Sequence, residues 1–316
     1  MHKITAGCPA KLNLTFDITG ELPGGYHEID TLFQAVDLED EMTFEFAPAE
    51  QTELKVVEAN GSAGGLFPLD ESNLICRAAR QLLRSLPEAP PVSMVAAVRK
   101  RIPMGAGLAG GSSNAAATLL ALNYYLGHPL GLEELLVAAG HVGADVPFFL
   151  EGGTCLGRRR GDELSVVRHS TRLNFLIVKP AGLSIGTPWA YSAFDDFAGE
   201  IPPVDSMVAA KALEAGDLVS AAAAFGNAFE PVVFSVYPRL AEIQQRLLKL
   251  GAWCCHLTGK GPTLYALVPD RQAAHALRRR LKDELAADPS AGRPDEVDCF
   301  IAESVAHGAR LTGESR

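Results

Sequence analysis

Between positions 101 and 113 the chain reads RIPMGAGLAGGSS, and it runs directly into NAAATLLALNYYLG. A glycine-dense turn that ends in a run of strong helix formers has few folded solutions. The turn lets the backbone approach a guest closely, and the helix after it offers unpaired N–H groups and the positive end of a dipole. Ser112 and Ser113 are expected to cap that helix and to be available to a phosphate or a metal-bound water. A polyanion is the natural guest. No Lys-Ser or Lys-Thr follows the last glycine, so this is not the Walker pattern. No acidic strand end in a βαβ unit marks a dinucleotide fold. Taken alone, the turn is equally compatible with a purely structural role.

Around this turn the chain reads as mixed strands and helices. In the opening segment Leu12, Leu14, Phe16 and Ile18 alternate with Lys11, Asn13, Thr15 and Asp17. That is a half-buried strand, with either a wet outer face or Lys11 and Asn13 aimed together into a site. Strands are also expected at 42–46, 54–57, 92–98, 174–178 and 264–268. Helices are expected from Asn73 to about 83, from the glycine-rich turn to Gly127, from about 132 to 141, and near 207–225, 238–250 and 271–286. Asp145, followed by Val146 and Pro147, marks a helix start, where its side chain either caps or serves as a free carboxylate. Strands and helices do not alternate strictly, so the class is α+β, with a boundary near 160–172 after Arg158-Arg159-Arg160. The polar tail from 303 onward is expected to fray.

Composition narrows the function. The chain has 316 residues and 47% hydrophobic content, enough for a sizeable core. With 28 basic against 38 acidic residues the formal charge is −10, which argues against non-specific nucleic-acid binding. An anionic ligand therefore needs a locally basic pocket. Cys8, Cys76, Cys155, Cys254, Cys255 and Cys299 show no metal-ligand or disulfide spacing, and reduced thiols in a cytoplasmic protein are expected. Neither a signal peptide nor a membrane span is expected. A second glycine turn, Thr258-Gly259-Lys260-Gly261-Pro262-Thr263, adds to the first. Two such turns, a strand lysine and a loop aspartate are the parts phosphoryl transfer needs, since that reaction depends on positioning and charge neutralisation.

PAKLNL (9–14), PMGAGLAGGSSNAA (103–116) and TGKGPT (258–263) resemble the three motifs of the GHMP kinases, in the family's order. GYHEIDTLFQAVDL (25–38), SNLICRAA (72–79), GADVPFFLEGG (143–153), SIGTPWAY (184–191) and NAFEPVVFSVYP (227–238) are similar to its diphosphocytidyl-methylerythritol kinase branch. The resemblance implies a two-domain α+β fold, 1–165 and 166–316, with the active site in the cleft between them. It implies ATP, with Mg2+ accompanying the nucleotide, and transfer to the 2-hydroxyl of a cytidylyl polyol in non-mevalonate isoprenoid precursor synthesis. The partner is this small molecule alone, with the protein a monomer or homodimer. Lys11 and Asp145 are implied as the catalytic pair. Asn73 and Lys100 are implied near the nucleotide, and Pro103, Met104, Gly105, Ala106, Gly107, Leu108, Ala109, Gly110, Gly111, Ser112 and Ser113 around its phosphates. The substrate is implied to meet Asn13, Tyr26, His27, Thr187, Pro188, Tyr191, Gly259, Lys260 and Gly261, with the cytosine held by Tyr26, His27 and Tyr191.

The chain departs from the family pattern in four places. Gly24-Gly25 stands for Asp-Gly, Ala109 for a glycine, Arg159-Arg160-Gly161-Asp162 for a small Gly-x-Gly-Glu stretch, and Lys260 for a small polar residue. Lys260 either points into solvent or meets the substrate diphosphate or the ATP γ-phosphate. Two other functions are open to such a chain. One is a kinase of the homoserine or mevalonate type, disfavoured by the Tyr26, His27 and Tyr191 set. The other is a silent nucleotide-binding relative, disfavoured by the presence of both Lys11 and Asp145.

Overall fold

The computed structural model describes residues 1–60, 67–287 and 296–315. Two long strands, β1 (His2–Leu22) and β2 (Tyr26–Pro48), form a hairpin that spans the molecule. Around it a mixed sheet is ordered β12-β1-β2-β4-β3, with β3 at Glu53–Glu58, β4 at Val92–Arg99 and β12 at Arg310–Ser315. On β2 it also carries β5 (Thr154–Arg158), which pairs with β6 (Glu163–Val167). A second, antiparallel sheet is ordered β11-β7-β10-β9. Its strands are β7 (Asn174–Pro180), β9 (Cys254–Leu257), β10 (Leu264–Val268) and β11 (Val297–Glu303).

Three cores tie these layers together. The first lies between the first sheet and helices α1 (Leu74–Arg84), α2 (Gly110–Tyr125), α3 (Leu132–Val142) and α4 (Val146–Glu151). The second joins the sheets, with Leu12 and Leu14 of β1 meeting Phe175 of β7 and Tyr265 of β10. The third covers the other face of the second sheet with α9 (Pro238–Lys249) and α10 (Arg271–Ala287). Burial on both sides of β1 explains the fate of its polar residues. Lys11, Asn13 and Thr15 are nearly as buried as the leucines between them, so the strand has no face open to bulk solvent over this stretch. Register shifts at Pro9/Ala10 and Asn13/Thr15 flank Lys11 and Asn13, as bulges often do beside sites.

The structure corrects three local expectations. The stretch near 207–225 is two helices, α6 (Ser206–Glu214) and α7 (Leu218–Ala224). They part at Gly216, which has positive φ, and Asp217 restarts the chain by accepting from Ser220 N at 3.0 Å. The polar tail is not frayed over the described residues. It forms β12, antiparallel to β1, so the chain's last strand completes its first sheet. Long strand pairing at 26–41 also goes beyond the expected 42–46. The six cysteines are free thiols, five of them buried. Among the described residues no helix is long and apolar enough to cross a membrane.

Candidate active site

The glycine-rich turn crosses from β4 to α2. The helix begins at Gly110, two residues before the first serine expected to cap it, and its N-cap residue is Ala109 with φ 54°. No side chain caps it, which corrects the role given to Ser112 and Ser113. The first helical bond of this turn is Ser113 N to Ala109 O at 3.1 Å. The N–H groups of Gly110, Gly111 and Ser112 thus lie ahead of the ladder, as an anion site requires. Ala109 thus occupies the left-handed region that favours glycine, the residue the family resemblance implies there. Gly107, at φ 75°, is fixed by a close approach. A Cβ there would sit 3.0 Å from Thr258 O and 3.3 Å from Gly261 O, so the two glycine turns touch backbone to backbone.

A cavity of about 440 Å³ opens beside this contact. Its wall carries Lys11, Asn13, Lys100, Asp145, Thr187, Tyr191, Gly259 and Lys260, together with Pro103 through Ser112. Lys11 Nζ donates to Asn13 Oδ1 at 2.5 Å. An ammonium can only donate, so the Asn13 amide nitrogen must face the other way, and it donates to Thr31 Oγ1 at 2.8 Å. Thr258 Oγ1 accepts from Asn13 N at 2.9 Å, which locks the second glycine turn onto β1. Lys11 is only 5% exposed, and burial pulls its pKa below the ordinary lysine value, while the Asp145 carboxylate acts in the opposite sense. Asp145 occupies the N-cap position of α4, but its side chain makes no capping bond. Its carboxylate is thereby left for the cavity.

Several expected residues lie elsewhere. Asn73 caps α1, accepting from Ile75 N at 2.9 Å and donating to Pro68 O at 2.6 Å, and is off the cavity wall. Ser113 is buried behind the wall, and its Oγ has no hydrogen-bond partner among the described residues. Pro188 and Gly261 are likewise set back from it. Lys100 reaches the wall but is committed to a buried ion pair with Asp40. The other oxygen of Asp40 accepts from Arg101 N at 2.8 Å and Ile102 N at 2.9 Å, so this pair fixes the entry to the glycine-rich turn. Tyr26 is 59% exposed and outside the cavity. His27 stacks on Tyr191, with centroids 4.5 Å apart and planes at 23°, and its Nε2 lies 2.8 Å from Asp195 Oδ1. Burial foremost, then the Asp145 charge, pushes the Tyr191 phenol up to about 12, so it stays a donor.

The sequence missed Phe16, Phe33, Phe229 and Arg160 on the cavity wall. The Arg160 guanidinium also lies 5.9 Å from the Tyr26 ring centre and binds Asp162, so it bridges the cavity and the exposed tyrosine. Asn227 was missed too. It donates to Leu257 O at 2.8 Å and Gly259 O at 2.7 Å, holding the second glycine turn from behind. Its only local signal is an Asn three residues ahead of a Glu-Pro helix start, where its Oδ1 accepts from Phe229 N at 2.9 Å.

The family models "GHMP kinases N terminal domain" and "GHMP kinases C terminal" match residues 73–153 and 209–287. A protein of Thermosynechococcus vestitus named 4-diphosphocytidyl-2-C-methyl-D-erythritol kinase is 35% identical, over 98% of this chain and 99% of its own. The chain belongs to the GHMP kinases. A crystal structure of a 4-(cytidine 5'-diphospho)-2C-methyl-D-erythritol kinase aligns with a TM-score of 0.70 and 29% identity, over 96% of this chain and 99% of that one. A homoserine kinase from Cytophaga hutchinsonii aligns with a TM-score of 0.74 over 98% and 97%, but at 20% identity, which speaks to the shared fold. This α+β GHMP kinase therefore keeps the fold along its whole length, and its three motifs converge on one cavity.

Proposed function

We infer that the chain transfers the γ-phosphoryl group of ATP to the 2-hydroxyl of 4-diphosphocytidyl-2-C-methyl-D-erythritol, a step of isoprenoid precursor synthesis. The observation that carries this reading is the 35% identity to a kinase of that name over 98% of the chain. The cavity supports it. Asp145 accepts the proton of the attacking hydroxyl, whose oxygen forms the new bond to the γ-phosphorus. The bond from phosphorus to the β–γ bridging oxygen breaks, and ADP leaves with its electrons. Lys11, oriented by Asn13, offsets charge on the carboxylate and on the phosphoryl group. The N–H groups at the start of α2 hold the nucleotide phosphates.

Mg2+ fits this site as a companion of ATP. An ion of this kind is bound chiefly through phosphate oxygens, with one or two hard protein donors. The Ser112 hydroxyl is a hard oxygen donor on the wall that would hold the ion beside the phosphates. When bound, the ion would offset phosphate charge.

The cytosine is assigned to the aromatic group at the cavity's edge. Asp195 engages His27 Nε2, which leaves Nδ1 for the edge of a pyrimidine. Base–aromatic stacking is worth about 1–3 kcal/mol, or roughly 5- to 150-fold in affinity. Tyr191→Ala is expected to raise KM for the cytidylyl substrate within that range and to leave KM for ATP alone. An equal rise for both would remove Tyr191 from the cytosine site. The reading as a whole is tested by ATP consumption with the cytidylyl polyol, the free methylerythritol phosphate, homoserine and mevalonate. Turnover is expected only with the first, and equal turnover on the free phosphate would refute a cytidine site.

A further inference from the structure

Lys260 stands where three parts of the site meet. Its turn touches the phosphate-binding turn, because the Thr258 and Gly261 carbonyls flank Gly107. The same turn touches the catalytic strand, because a Cβ on Gly259 would lie 3.8 Å from Lys11 Nζ. Lys260 Nζ itself donates to the carbonyl of Ile185, two residues before Thr187 on the cavity wall. The donor loop, the catalytic lysine and the acceptor segment therefore all border this one ammonium.

Its charge is uncompensated by the protein. Lys260 is half-buried on the wall and makes no ion pair among the described residues. The neighbouring charge is the like charge of Lys11. Burial, and then that charge, hold the Lys260 ammonium below the ordinary lysine pKa. Lys100, by contrast, is neutralised by Asp40. Asp145 is the one acid on the cavity wall among the described residues. The ammonium groups of Lys11 and Lys260 share that wall with this single acid and leave a positive potential in a chain of net charge −10. Filling that potential is worth most to the group with the highest negative charge density.

We propose that Lys260 is a catalytic residue that contacts the γ-phosphoryl group of ATP together with Lys11, and stays on it during transfer. The inference rests on the reading of this cavity as the site of ATP-dependent phosphoryl transfer. Lys260 neither gives nor takes a proton in the step. It exchanges its bond to the Ile185 carbonyl for the phosphoryl oxygens, and it offsets their charge as the bond to the β–γ oxygen breaks and the bond to the acceptor oxygen forms.

The test compares ATP with ADP in the absence of acceptor, by calorimetric titration of the wild type, Lys260→Met and Lys260→Ser. ADP lacks only the γ-phosphoryl group, so retained ADP binding also reports an intact fold. Each variant is expected to lose about 10- to 100-fold in ATP affinity, the range of one charge-assisted hydrogen bond, with ADP affinity unchanged. Lys260→Arg is expected to recover part of the ATP preference, and kcat is expected to fall in step with it. Equal affinities for ATP and ADP across wild type and variants, or an equal loss for both, would overturn the proposal. So would a loss confined to KM for the diphosphate-bearing acceptor, which would put Lys260 on that diphosphate instead. Because no acceptor enters the titration, failure of the acceptor panel with a preserved ATP effect would sink the acceptor assignment alone.

Discussion

Asp145→Asn is expected to lower kcat by about 10² to 10⁴, the usual worth of a positioned general base. The substitution keeps the shape of the side chain and removes its ability to take a proton. It also leaves the fold untouched, since the Asp145 side chain makes no capping bond to α4. KM for ATP should stay close to the wild-type value, because the proposed reading puts the phosphates on the turn before α2 and on the lysines of the cavity wall rather than on this carboxylate. Steady-state kinetics with saturating ATP decide the matter. Near-normal kcat in the variant would assign the proton to another group.

The second large effect falls on stability. Asp40 and Lys100 are a buried pair, 0% and 4% exposed, and Asp40 also receives two backbone N–H groups from the start of the glycine-rich turn. Removing one partner of such a pair leaves an uncompensated buried charge, at a cost of about 3–5 kcal/mol. Asp40→Ala should therefore lower the denaturant midpoint by that equivalent at unchanged m-value, and weaken ATP binding by loosening the turn. Replacing both residues with apolar side chains of similar volume should cost much less. A loss below about 1 kcal/mol for Asp40→Ala would show that water reaches the pair and screens it.

What was legible in the sequence follows from what is local. Lys11 and Asn13 are legible because they alternate with leucines in a strand and sit in a motif. Burial on both faces, unlike alternation, has no local signature, so whether that strand had a wet face could not be read. The same cause hid the pairing of 26–41, where buried Thr31, Gln34 and Asp40 interrupt the apolar pattern. Gly216-Asp217 did carry a break signal, but the alanines on either side read as one continuous helix former. In the site, both glycine turns and Asp145 are encoded by short contiguous motifs. Phe33, Arg160, Asn227 and Phe229 reach the site from separate elements, and only the folded chain brings them together. Asn73 shows the converse. Its motif was visible, and the structure spends its side chain on capping α1.

The proposed transfer forms one bond, from phosphorus to the oxygen on C2 of the acceptor. That carbon bears a methyl group and two chain carbons and no hydrogen, so a phosphate placed there has no proton three bonds away. Proton-coupled phosphorus NMR of the product formed from ATP and 4-diphosphocytidyl-2-C-methyl-D-erythritol reads this directly. Transfer to C2 gives a new phosphate monoester signal without proton splitting, beside an unchanged diphosphate. A split monoester signal would place the phosphate on a primary or secondary hydroxyl, and no new monoester would contradict the assignment of this cavity to that acceptor.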